Sequence, residues 1–194
     1  MKPKTSVILS ELKEHIPFTL TATLIAVILI IFLRKTDMES LFHILHPLHL
    51  FVSAIVSSAI YYKYKKGFIS ALLIGVISSI VIGSLSDILL PYLGGQIFQL
   101  KTSFHLPLIE EPLIILSAAF VGSVLGIATK LTKLPHFIHV FLSIFASLFY
   151  LLAFSSSISL LYFIAVFLIV FIAVLIPCCI SDIIFPLLFV RRRH

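Results

Sequence analysis

Apolar residues run along this chain in long blocks, with short polar and charged stretches between them. A helix needs about 20 mostly apolar residues to cross the hydrocarbon core of a bilayer. The pattern offers six such blocks: 17–33, 46–62, 68–90, 107–129, 136–153 and 159–190. The first is short, and the last is long and interrupted by Pro177 and Pro186. The fold expected from this pattern is an all-α integral membrane protein of six transmembrane helices, forming a single membrane domain over residues 1–194.

Composition agrees and adds an orientation. The chain is 60% hydrophobic and only 11% charged, with a mean hydropathy of +1.21. A water-soluble domain carries about a quarter charged residues. The first block runs into Arg34-Lys35 without a small-residue cleavage site, so it reads as a retained helix rather than a signal peptide. With six spans both termini share one side, which collects Lys2, Lys4, Lys13, Lys63, Lys65, Lys66, Lys130, Lys133, Arg191, Arg192 and Arg193. The other side holds Arg34, Lys35 and Lys101. Lys and Arg concentrate in cytoplasmic loops, so both termini are expected in the cytoplasm, with loops 34–45 and 93–106 outside. The net charge of +6 is then a topology signal. The partner it implies is the lipid bilayer of the cell membrane, and no nucleic-acid motif accompanies it.

An internal repeat organises the polar residues. Shifted by 90 positions, His15-Ile-Pro17 falls on His105-Leu-Pro107, and His46, His49, Phe51, Ser53 and Ser57 fall on His136, His139, Phe141, Ser143 and Ser147. Shifted by 95, Ser86-Asp87 and Pro91 fall on Ser181-Asp182 and Pro186. The matches keep one order, which marks a duplication: repeat A over about 14–92 and repeat B over about 104–190. Three spans per repeat place the second half upside down in the membrane. Inverted repeats of this kind recur in secondary transporters.

The repeat sorts the candidate site residues into two groups. His46, His49, Asp87, His105 and Glu110 fall at the outer face, and His15, His136, His139, Asp182 and Cys178 at the inner face. His46, His49, Ser53 and Ser57 draw one stripe on a helix, as do His136, His139, Ser143 and Ser147. Such a stripe must face protein or water, because lipid cannot satisfy it. Imidazoles at i and i+3 can chelate one transition-metal ion, with a nearby carboxylate completing the shell. His46, His49, His136 and His139 are therefore the candidate ligands for a divalent transition metal. An interfacial role for the same histidines, capping helix starts, is the plainer alternative. Asp87 and Asp182 are intramembrane carboxylates, costly to place and so functional candidates. Glu110 and Glu111, adjacent on a helix, should point about 100° apart, so only one can aim at the outer group. Cys178, beside Cys179, offers a soft ligand or simply a small apolar side chain.

Catalytic motifs such as His-Glu-x-x-His, Gly-x-Ser-x-Gly or a phosphate-binding glycine loop do not occur. The function expected is a small transporter or permease for a cation, a divalent metal or a proton, working as a homodimer. The alternatives are an intramembrane metal-dependent enzyme acting on a lipid or small substrate, and a structural or accessory subunit.

Overall fold

The computed structural model describes residues 16–29, 37–156 and 162–179, with the side chains of 133–135, 137, 178 and 179 excepted. Every regular element among the described residues is helical: α1 (Ile16–Leu29), α2 (Met38–Tyr64), α3 (Phe68–Ser84), a π-helical turn (Leu85–Leu89), α4 (Leu90–Ile97), α5 (Pro107–Glu110), α6 (Pro112–Thr129), α7 (Lys133–Phe154) and α8 (Phe163–Cys179). Three stretches are long and apolar enough to cross a membrane: Met38–Tyr64, the continuous Phe68–Ile97 and Pro112–Thr129. Ile16–Leu29, Ile138–Phe154 and Phe163–Pro177 are apolar but shorter.

The start of α2 differs most from the expected pattern. It begins at Met38, not at residue 46, because Asp37 caps it, accepting from the Ser40 backbone N–H at 3.2 Å and the Ser40 hydroxyl at 2.6 Å. An Asp in this position satisfies backbone donors that a helix start otherwise leaves open. The segment expected to be loop is therefore two turns of helix. His49 lies about 16 Å along an axis of about 40 Å, at 1.5 Å per residue, so the histidine pair sits in the middle of α2 rather than at its mouth. Pro47 is inside the helix instead of in its first turn.

The helix α2 is the centre of the bundle, packed by α3, α6 and α7. Its contact with α6 is close because Gly122 and Gly126 lie one turn apart; a Cβ at these positions would run into the carbonyl oxygens of Phe51 and Ile55. Small residues at this spacing let membrane helices approach backbone to backbone. On the other side, α1, α7 and α8 contribute Ala26, Ile144, Leu148, Val170 and Val174 to one apolar core, which also takes in Phe42 and Ile88. Large apolar side chains such as Ile69, Leu113 and Ile164 point outward.

Candidate metal centre

The polar side chains of α2 and α7 meet on the π-helical turn. In this turn the Leu90 N–H reaches back to the Leu85 carbonyl, five residues away, instead of the four of an α-helix. The wider turn leaves backbone carbonyls unspent, and that of Ser86 accepts from the Ser147 hydroxyl at 3.1 Å. Turns of this type are rare and occur often at functional sites. Asp87 is at the middle of this one and fully buried.

The Asp87 side chain takes four hydrogen bonds. Its Oδ2 lies 2.8 Å from His46 Nδ1 and 2.7 Å from His49 Nδ1. Its Oδ1 accepts from Ser86 Oγ at 2.7 Å and from Ser143 Oγ at 2.8 Å. A carboxylate only accepts, so both imidazoles direct a protonated Nδ1 at it. The i, i+3 spacing on α2 brings both rings to one oxygen, as the helix period dictates. All the side chains involved are buried, and among the described residues no Lys or Arg bonds to Asp87. A nitrogen from each histidine and an Asp87 oxygen lie within 4.8 Å of one another, a spacing that can hold a metal ion. Nitrogen–zinc bonds of about 2.0–2.1 Å hold two ligand atoms at most about 4.2 Å apart, so the widest pair would have to close in, and each coordinating nitrogen would have to present a lone pair rather than a proton. His46 Nε2 is buried without a hydrogen-bond partner.

The α7 stripe joins the same centre. Ser143 and Ser147 approach the π turn, and the His139 ring stacks on His49 with centroids 5.2 Å apart. His136 packs edge-on against His139 at 5.4 Å. The histidines expected at opposite membrane faces thus abut. His15 and Asp182 lie outside the described residues, as does the side chain of Cys178.

His105 and Glu110 do not reach Asp87. They pair with each other, His105 Nδ1 to Glu110 Oε1 at 3.0 Å, while His43 Nδ1 lies 3.4 Å from Glu111 Oε2. Phe42 stands between this peripheral group and the buried one, its ring stacked on His46 at 5.5 Å and edge-on to His105 at 6.1 Å. Tyr150 helps hold the loop that carries His105: its hydroxyl accepts from the His105 backbone N–H and donates to the Ser103 carbonyl, each at 3.2 Å. Of the two adjacent carboxylates only Glu110 reaches a histidine of the expected outer group, and Glu111 faces His43 instead. The helix breaks at Glu111 (φ −128°, ψ 53°), because a residue before proline is pushed out of the α region. Both carboxylates then reach a histidine.

No protein family matches the chain, and neither the curated proteins nor the solved structures contain a significant match to it.

Proposed function

We propose that the chain is a six-span membrane permease for a cation, and that His46, His49 and Asp87 hold a divalent transition-metal ion in transit. The observation that carries this reading is the convergence of two imidazole nitrogens and a carboxylate oxygen within 4.8 Å in the buried centre of the bundle. Two nitrogens and one oxygen suit zinc and its first-row neighbours better than calcium or magnesium, which prefer all-oxygen shells.

The two-repeat organisation supports a transport role. His49 and His139, equated by the 90-residue shift, are also the two rings that stack on each other. Equivalent residues meet where a pseudo-twofold axis passes between the halves. In this reading the inverted repeats, about 14–92 and 104–190, rock about a cation site near their interface. Both termini lie in the cytoplasm of a cell-membrane protein, and a homodimer supplies the bulk that six short spans lack.

A second reading rests on a specific observation: the four hydrogen bonds to Asp87 leave the carboxyl satisfied without any ion. In that case the cluster is a polar lock joining α2, the π turn and α7. Zn2+ uptake by proteoliposomes containing a trapped zinc-sensitive dye separates the two. Transport predicts uptake above that of empty vesicles, abolished by His46→Ala with His49→Ala. Uptake equal to that of empty vesicles, from protein that elutes as a folded species, rules the permease out.

A further inference from the structure

The end of the bundle beyond Phe42 carries a second set of ligand-type side chains. His43 comes from the second turn of α2, His105 from the loop before α5, and Glu110 and Glu111 from the break between α5 and α6. The two imidazole rings stand edge to face with centroids 5.0 Å apart, and each has one of the adjacent carboxylates on its Nδ1. From these positions we infer that His43, His105, Glu110 and Glu111 form a second divalent-cation site, distinct from the buried one and open to the aqueous side.

Three features carry the inference. Backbone geometry is the first: the break at Glu111 turns consecutive carboxylates toward the same pair of histidines, which an unbroken helix would not do. The second is that His105 Nε2 is buried with no hydrogen-bond partner, so the ring holds a ligand atom in reserve beyond the one facing Glu110. The third is graded exposure. The side chains of Glu110 and Glu111 are 50% and 37% exposed, those of His105 and His43 13% and 22%, so the carboxylates can swing over imidazoles that are already placed. Two carboxylates stand against two imidazoles, and the described residues show no Lys or Arg ion-paired to them. A hydrated cation approaching this end would meet oxygen ligands first and nitrogen ligands behind them.

Phe42 keeps the sites separate. It is fully buried and touches His43 and His105 edge-on and His46 face-on, so a single aromatic ring lies between the two ligand sets. That the peripheral site takes the same ion as the buried site rests on the permease reading; that it binds a divalent cation does not.

Equilibrium dialysis of the purified full chain against Zn2+, with metal counted per protein, tests the inference. The wild type should hold about two ions, each through three or four ligands. His105→Ala with Glu111→Gln should remove the peripheral ion, or weaken it by at least about tenfold, and keep the buried one. His49→Ala should do the reverse. A single ion that survives the peripheral double variant and is lost with His49→Ala overturns the second site and leaves the permease reading standing. A single ion with the opposite sensitivity keeps the second site and removes the buried one. Two ions both indifferent to the peripheral variant, or none in the wild type, overturn it as well. Glu111→Gln alone is close to isosteric and should already weaken the peripheral ion, so a double variant that fails to fold does not block the test.

Discussion

Replacing Asp87 by alanine and by asparagine should give two very different proteins. Alanine deletes the acceptor for His46, His49, Ser86 and Ser143. The two hydroxyls have other partners within reach: Ser86 Oγ also bonds the Gly83 carbonyl at 3.1 Å, and Ser143 Oγ bonds Ser86 Oγ at 3.2 Å. The two imidazole N–H groups have no other partner among the described residues, and each buried donor left unsatisfied costs about 1–3 kcal/mol. The alanine variant should therefore lose about 3–5 kcal/mol, the range seen when one partner of a buried charged pair is removed. Asparagine keeps a carbonyl oxygen for the imidazoles and turns its NH2 toward the hydroxyls, which can accept. It also relieves the burial of a charge, so it should cost about 1 kcal/mol or less. Hydrogen bonds between membrane helices average only about 0.6 kcal/mol in double-mutant cycles, which would put alanine near 1 kcal/mol. Equilibrium unfolding in mixed micelles titrated with sodium dodecyl sulfate resolves the two figures. Alanine and asparagine variants within about 0.5 kcal/mol of each other would refute the argument that Asp87 holds the histidines by their protons. Zn2+ binding at the buried site should fall in both, because neither side chain supplies a charged oxygen.

Other consequences are independent of the metal. Gly122→Ala forces α2 and α6 apart at the Phe51 carbonyl and should cost about 1–3 kcal/mol in the same unfolding assay. Gly67→Ala, whose added Cβ meets only Ser70 at 3.6 Å, should change stability little, and a similar loss at both glycines would contradict close packing as the cause. In a background without the native cysteines, Lys101→Cys should react with an impermeant maleimide added outside whole cells while Lys66→Cys stays protected; the converse pattern reverses the orientation. The Ser40 hydroxyl and backbone N–H hold the Asp37 carboxyl below its ordinary value of 3.8, so the cap strengthens the fold above that pH and its contribution fades as pH falls through the lowered value. Asp37→Asn should flatten the loss of stability as pH falls below 3.8, and equal acid sensitivity with and without the substitution would show that the cap is not coupled to folding.

The helical character of the described residues, with three helices long and apolar enough to cross a membrane, is legible in the apolar blocks of the chain. The pairing of His46 with His49, and Asp87 as a residue of consequence, are legible from helical spacing and from the cost of an intramembrane carboxylate. The depth of the site is not, since it depends on where α2 starts. Asp37-Met-Glu-Ser40 looks like loop until Asp37 is recognised as a cap with Ser40 three residues on. The reach of Glu111 was available from Pro112 alone, through the restriction proline puts on its predecessor. Ser143 and Ser147 could be seen as a stripe, but nothing local in α7 tells that Ser143 meets Asp87 and Ser147 the π turn. Phe42 carries no signal at all, because an apolar ring in an apolar sequence is distinguished only by its neighbours.

The π-helical turn at Leu85–Leu89 also fixes how this span can change in length. A plain transmembrane helix tolerates the gain or loss of a residue near its end by tilting or by shifting slightly in the bilayer. Here one residue is held out of the α-helical count, and deleting any of the five would let the backbone close into a regular helix with a better ladder of hydrogen bonds. The repaired helix would leave the segments on either side near their present register, because the π turn already absorbs the extra residue, but it would carry Asp87 out of the widened turn that now aims it at His46 and His49 while α4 stays packed on α8. A deletion within Leu85–Leu89 should therefore cost the hydrogen bonds of Asp87 and spare the helix around it, even where the shortened segment is the better helix former.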